Sequence, residues 1–172
     1  MTDDARNVGE PGTAGDAGAV DAGDESRGGD AGSVSRVTSD AGLAAALEIR
    51  REVFIEEQDV PEDLELDGKD GESTHFLARL DGDAVGTARL RAYGDGVAKI
   101  ERVAVREPLR GEGWGRRITV AVESHAREAG YERVRLAAQV PVVGFYERLG
   151  YDIVSGEFED AGIPHRSMEK PL

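Results

Sequence analysis

At 172 residues, with 35 acidic against 21 basic side chains, a formal net charge of −14 and no cysteine, the chain suits one domain, or one domain and a tail. The balance excludes a nucleic-acid binder, which needs a basic face; the missing cysteines exclude disulfides and thiolate metal sites; no apolar run approaches the ~20 residues of a membrane span. The start lacks a secretion signal, and acidity with 18 Arg but 3 Lys suits a salt-rich cytoplasm of the haloarchaeal kind, where like-charge repulsion is screened.

Residues 1–32 hold eight Gly, eight acidic residues and two Arg, with hardly a large apolar side chain. Such a segment cannot offset its ordering entropy by burial, so a disordered tail is expected, followed by one domain over 33–172. The segment 33–38 alternates Val34 and Arg36 as a first strand would. Asp40 is placed to cap a helix carrying Leu43, Ala46, Leu47, Val53 and Phe54, closed by Pro61. Residues 54–71 hold eight carboxylates and one Lys and read as a helix end and a loop.

Asp81-Gly82 then turns a hairpin between strands near 75–80 and 84–93. A second turn at Gly94–Gly96 leads into a β-branched strand over 97–105. A glycine-rich turn opens a helix with Ile118, Ala121, Val122, His125, Ala126 and Ala129 on one face, stopped by Gly130. A strand over 132–138 alternates Arg with Val and Leu; a helix from Pro141 to Gly150 places Val142, Phe145, Tyr146 and Leu149 inward; two short strands close the chain. This order predicts a mixed α/β domain around one central sheet.

The turn after the 97–105 strand concentrates chemistry. Arg106, Arg110, Arg116 and Arg117 crowd around Gly111, Gly113 and Gly115 in an otherwise acidic protein. Glycines entering a helix N-terminus bare the main-chain amides that bind phosphate, and neighbouring guanidinium groups add charge. Neither the dinucleotide fingerprint nor the Walker loop is met, since Arg stands at 116 where the former needs Gly. His75, His125 and His165 are too scattered for a metal set.

Arg110-x-x-Gly113-x-Gly115, the preceding "IERVAV" and "GFYERLGY" (144–151) together resemble the GNAT N-acetyltransferases. More narrowly, "IRREVFIEEQ" (49–58), "ELDGKD" (65–70) and "EDAGIPHRSM" (159–168) resemble the ElaA-like branch. The resemblance covers about residues 34–170. It implies an α+β fold with a central, mixed but mostly antiparallel sheet of about six to seven strands and about four helices. It also implies transfer of an acetyl group from acetyl-CoA to a small-molecule or peptide amine, without a metal, by a monomer or homodimer.

The resemblance further implies residue roles. The loop Arg110, Gly111, Glu112, Gly113, Trp114, Gly115 and Arg116 would hold the coenzyme diphosphate. Its pantetheine arm would run along Val103, Ala104 and Val105, where a bulge splays the strand from its neighbour, with Gln139 alongside. The amide of Val103 would meet the oxyanion. Tyr146 would protonate the leaving thiolate, although its spacing with Val142 and Leu149 also fits a core residue. Glu101 is the leading candidate for the base, with His75 and His165 as alternatives. Glu57, Gln58, His75 and His165 would contact the acceptor, and Asp67 and Asp70 could attract its ammonium group. A CoA-binding module without turnover, or an unrelated phosphate-binding domain, stays open beside the enzyme.

Overall fold

The computed structural model describes residues 17–19 and 32–172. The expected disorder of the first 32 residues falls outside these, except at Ala17–Ala19, which form strand β1, and at Gly32. From there the order is β2 (Gly32–Arg36), α1 (Asp40–Arg50), α2 (Glu62–Glu65), β3 (Thr74–Leu80), β4 (Asp83–Gly94), β5 (Val97–Val105), α3 (Trp114–Glu128), β6 (Arg133–Gln139), α4 (Val143–Arg148), β7 (Asp152–Asp160) and β8 (Ile163–Pro171). The expected sheet is present, with seven strands from Gly32 onward, mostly antiparallel, and four α-helices among the described residues.

Strand order is β2-β3-β4-β5-β1-β6-β8-β7, with β5 and β6 also paired directly at one end. One face packs Phe76, Ala88, Leu90 and Ile100 against Trp114, Ile118, Val122 and Ala126 of α3 and Phe145 and Tyr146 of α4. The four α3 residues recur at every fourth position, so they form one buried stripe. Gly86 lets α3 approach β4, because a Cβ there would lie 2.6 Å from Ile118 Cδ1. The other face packs Leu77 and Ala104 against Ala46, Ile49, Val53, Phe54 and Val60.

Helix α1 is capped one residue before the expected position. Ser39, in extended conformation, accepts a hydrogen bond from the Gly42 amide at 3.1 Å, and Asp40 is the first helical residue. The helix continues as a π-helical segment, Arg51–Glu57, which re-aims the side chains after Arg50. The region 58–72 is not all loop, since α2 and a short 3-10 turn at Asp70–Glu72 lie in it. The closing strands span nine residues each rather than a short pair.

Candidate functional site

Two strands that begin paired and then part create the site. β5 and β6 run parallel and pair from Val97↔Arg133 to Lys99↔Arg135. Beyond this, β5 carries one extra residue against β4, whose register moves from Arg89↔Glu101 to Thr87↔Ala104. The bulge centres on Arg102, which holds the left-handed φ of 55°. A non-glycine residue pays roughly 1–2 kcal/mol for that conformation. Arg102 is fully buried, its Nε 2.7 Å from Glu65 Oε2, so side-chain pairing holds the kink.

Past the bulge the facing edges of β5 and β6 no longer meet. Ala17–Ala19 lie between them, pairing in parallel with Val103 and Ala104 on one side and Ala138 on the other. The gap thus has the width of one extended chain, bordered by main-chain groups that seek partners. Val103, Ala104 and Val105, expected along a coenzyme arm, form one border of it, and Gln139 ends the strand that forms the other.

The gap opens toward the glycine loop. Gly111 and Gly113 take φ of 82° and 84° there, as only glycine does freely. Gly113 precedes α3, and no side chain caps that helix, so its leading amides are left for a ligand. A pocket lies over the loop, lined by Arg110, Gly111, Gly113, Trp114, Gly115 and Arg116, and by Phe145 and Arg148 of α4. Glu112 is exposed and does not line it.

The four arginines divide. Arg116 lines the pocket and is exposed. Arg110 also lines it, while its Nε donates to Val105 O at 2.9 Å and its outer nitrogen pairs with Glu57 at 2.8 Å. Arg106 instead pairs with Glu52, and Arg117 covers the Trp114 ring and donates to Gly32 O. Arg148 takes the vacated place; it was missed because it stands in sequence beyond the loop.

Tyr146 is fully buried on α4, edge-on to Phe145 at 4.9 Å and to Tyr151 at 5.6 Å. Helix α4 packs on β6, and the tyrosine lies in the core on that face, next to Phe145, which lines the pocket.

The opposite face of the sheet is dominated by ions. Arg89 is fully buried and bonds Glu101 at 2.5 Å, Asp67 at 2.8 Å and Asp70 at 3.0 Å. Arg50, also buried, bonds Glu65 and Asp70. Glu101 further accepts from Arg91 at 3.0 Å and lies 3.4 Å from Lys99. Burial alone would raise its pKa; the Arg91 hydrogen bond and the charges of Arg89, Lys99 and Arg91 outweigh that, drawing it from 4.5 to about 2.

These pairs correct two expectations. Glu101 is a poor base, because a carboxylate gripped by three cations resists taking a proton. Asp67 and Asp70 are committed to Arg89 and Arg50 rather than open to an ammonium group, and against the opposing effect of burial those guanidinium groups hold both carboxyls below their usual range.

The remaining acceptor-side candidates separate. Gln139 donates its amide to Gln58 Oε1 at 2.8 Å, joining the end of β6 to the end of the π-helical segment. His165 stands directly opposite Gln139 in the β6–β8 pairing, so the two share a face. Glu57, through Arg110, ties the π-helical segment to the phosphate loop rather than to this group. His75 sits on β3, its Nε2 3.0 Å from Asp70 O, among the ions and apart from Gln58, Gln139 and His165. Among the described residues no cluster of three or more His, Asp or Glu side chains could hold a metal.

A family model described as an acetyltransferase (GNAT) domain matches residues 34–172. The uncharacterized N-acetyltransferase YjcF of Bacillus subtilis is 40% identical over 129 residues, 74% of this chain and 91% of that one. The crystal structure of Escherichia coli ElaA superposes with a TM-score of 0.73 at 29% identity, covering 81% of this chain and 99% of its own. An acyl-CoA N-acyltransferase from Pseudomonas aeruginosa gives a TM-score of 0.72 at 28% identity, covering 83% and 99%.

Proposed function

Since the chain belongs to the GNAT N-acetyltransferase family, we propose that it moves the acetyl group of acetyl-CoA to a primary amine of a small molecule or peptide, by direct attack through a tetrahedral intermediate. The observation that carries this reading is the pocket over the glycine loop, which Val105 at the end of β5 also lines, beside the place where β5 and β6 part. A donor of that shape, a diphosphate followed by an extended amide-bearing arm, matches amides at a helix start followed by two parted strand edges, the place that Ala17–Ala19 take in this structure. Bound coenzyme would supply an activated thioester.

The chain's residues then have defined tasks. The α3 amides with Arg110, Arg116 and Arg148 hold the diphosphate end. Val103 and Val105 pair with the arm as a neighbouring strand would, and the Val103 amide faces the oxyanion. Tyr146, buried on α4, passes its phenolic proton to the departing thiolate. The acidic, lysine-poor surface supports work in a salt-rich cytoplasm, where screening relieves its repulsion.

Turnover tests the reading. Acetyl-CoA with a panel of primary amines in molar KCl should release free CoA thiol, readable directly because the protein has no cysteine. Tyr146→Phe should lower kcat by about 10–100-fold while leaving the affinity for acetyl-CoA unchanged. Tight coenzyme binding with no turnover for any amine would make the protein a CoA-binding module instead, and an unchanged kcat in the Phe variant would remove the tyrosine from its role.

A further inference from the structure

Building on the acetyl transfer proposed above, we propose that Nε2 of His165 is the base that takes the proton of the incoming ammonium. The imidazole is fully buried and lies nearly parallel to Phe158, with ring centroids 6.0 Å apart at 21°. Its Nδ1 is 2.6 Å from the carbonyl oxygen of Ile163. A carbonyl only accepts, so Nδ1 carries the hydrogen and Nε2 presents a lone pair. That Nε2 is buried and has no hydrogen-bond partner among the described residues. Leaving a buried acceptor bare is unfavourable, and a site that receives a donor from its ligand accounts for it.

The place is right for the task. His165 faces Gln139 across β6–β8, and Gln139 is the last residue of the strand that borders the gap. The imidazole is therefore one strand from the edge along which the thioester would lie, on the face opposite α3 and α4. The groups around it favour a neutral ring. Burial lowers its pKa from 6.5; Asp160 of β7 and the bond to Ile163 O oppose that, and Lys99 of β5 reinforces it. Gln139, Gln58 and Phe158 beside it are uncharged. A ring neutral at neutral pH is ready to accept.

The rivals fail on position or charge. His75 also has a bare buried nitrogen, Nδ1, yet it lies on β3, two strands from β5, against Asp70. His125 packs edge-on to Phe76 on the α3 face. Glu101 is held by Arg89, Arg91 and Lys99.

The step balances as follows. The ammonium R–NH3+ gives one proton to Nε2, forming imidazolium. The freed nitrogen lone pair bonds to the thioester carbonyl carbon, and the carbonyl pair moves to oxygen. Collapse restores the carbonyl and breaks the carbon–sulfur bond, and the thiolate takes the proton of Tyr146. A second proton from the acylated nitrogen restores that tyrosine, and imidazolium releases its own to water.

His165→Asn tests this, because the amide can still donate to Ile163 O while offering no base. With acetyl-CoA and the best primary alkylamine of the panel, kcat/KM near neutral pH should fall by about 100-fold or more. The deficit should shrink as pH approaches the amine's own pKa near 10, where free amine needs no base. Imidazole added to His165→Ala should restore part of the rate, which a merely structural role would not allow. An Asn variant within roughly threefold of the parent across that range would overturn the proposal. Parent enzyme silent with every amine would instead overturn acetyl transfer itself. Nitrogen-15 NMR of the parent protein decides even if the variants fail to fold: an Nδ1–H tautomer with a pKa below 6.5 supports the proposal, and an Nε2–H tautomer overturns it.

Discussion

On the face carrying α3 and α4, the groups turned to the pocket and the gap are largely main chain: the leading amides of α3 and the parted edges of β5 and β6. On the face carrying α1 and the 58–72 segment, buried side chains meet in pairs, with Arg50, Arg89 and Arg102 against Glu65, Asp67, Asp70 and Glu101. Main-chain groups are the same in every sequence, so what the first face offers depends on backbone geometry more than on particular side chains. Arg50, Glu65, Asp67 and Asp70 of the second face lie in the segments 49–58 and 65–70 that resemble the ElaA-like branch, so its ions sit in the runs that narrow the resemblance. The bulge at Arg102 belongs to both, since ions on one face hold the kink that opens the gap.

The comparison breaks most severely if the ionic face loses its centre. Arg89→Met removes the shared partner of Glu101, Asp67 and Asp70 and leaves three clustered carboxylates with Arg50, Arg91, Lys99 and Arg102 alone to offset their burial. Urea unfolding should show a loss of about 3–5 kcal/mol, well beyond what a surface arginine gives. Acid should act through the same residues. Glu101 has a folded pKa of about 2 against an ordinary 4.5, so its stabilisation is present above 4.5 and lost as pH falls toward 2. Glu101→Gln, less stable near neutrality, should therefore lose less of its remaining stability across that window, followed by circular dichroism.

The sequence made the two faces unequally readable. The glycine loop, the strand before it and the α4 segment are contiguous runs whose spacing carries their meaning, and the structure brings them together at one pocket. Arg89 and Arg91 stand two apart on a strand and so share a face, but nothing local says that carboxylates some twenty residues earlier will meet Arg89. That is why Asp67 and Asp70 read as open acidity and Glu101 as a base. The tautomer of His165 is a contact with Ile163, two residues away, and becomes visible only when the backbone is placed. Ala17–Ala19 gave no strand signal, because what pairs them is the vacancy between β5 and β6, not their own propensity.

A milder change sharpens the main-chain side. Gly113 has φ of 84°, and nothing lies within 4 Å of where a Cβ would stand, so Gly113→Ala meets no clash, only a disfavoured backbone. The free loop relaxes away from that φ, and binding must restore it at a cost of about 1–2 kcal/mol. Acetyl-CoA affinity measured by calorimetry should weaken by roughly fivefold to tenfold, with the urea midpoint little changed.

The smallest effect has the opposite sign. β1 pairs with Val103, Ala104 and Ala138, the borders of the gap that a coenzyme arm would use, so strand and arm exclude each other. Apparent affinity is reduced by the fraction of molecules whose gap is filled. Three paired residues tethered through a chain segment are worth at most about 1 kcal/mol after loop closure, so deleting residues 1–30 should tighten acetyl-CoA binding by no more than ~fivefold. Because the deletion touches neither the ions nor the glycine loop, the Gly113→Ala penalty should persist unchanged in the shortened chain. An affinity that fell on deletion would mean that β1 supports the gap rather than competing for it, and the main-chain face would then depend on the first residues as well as on the bulge.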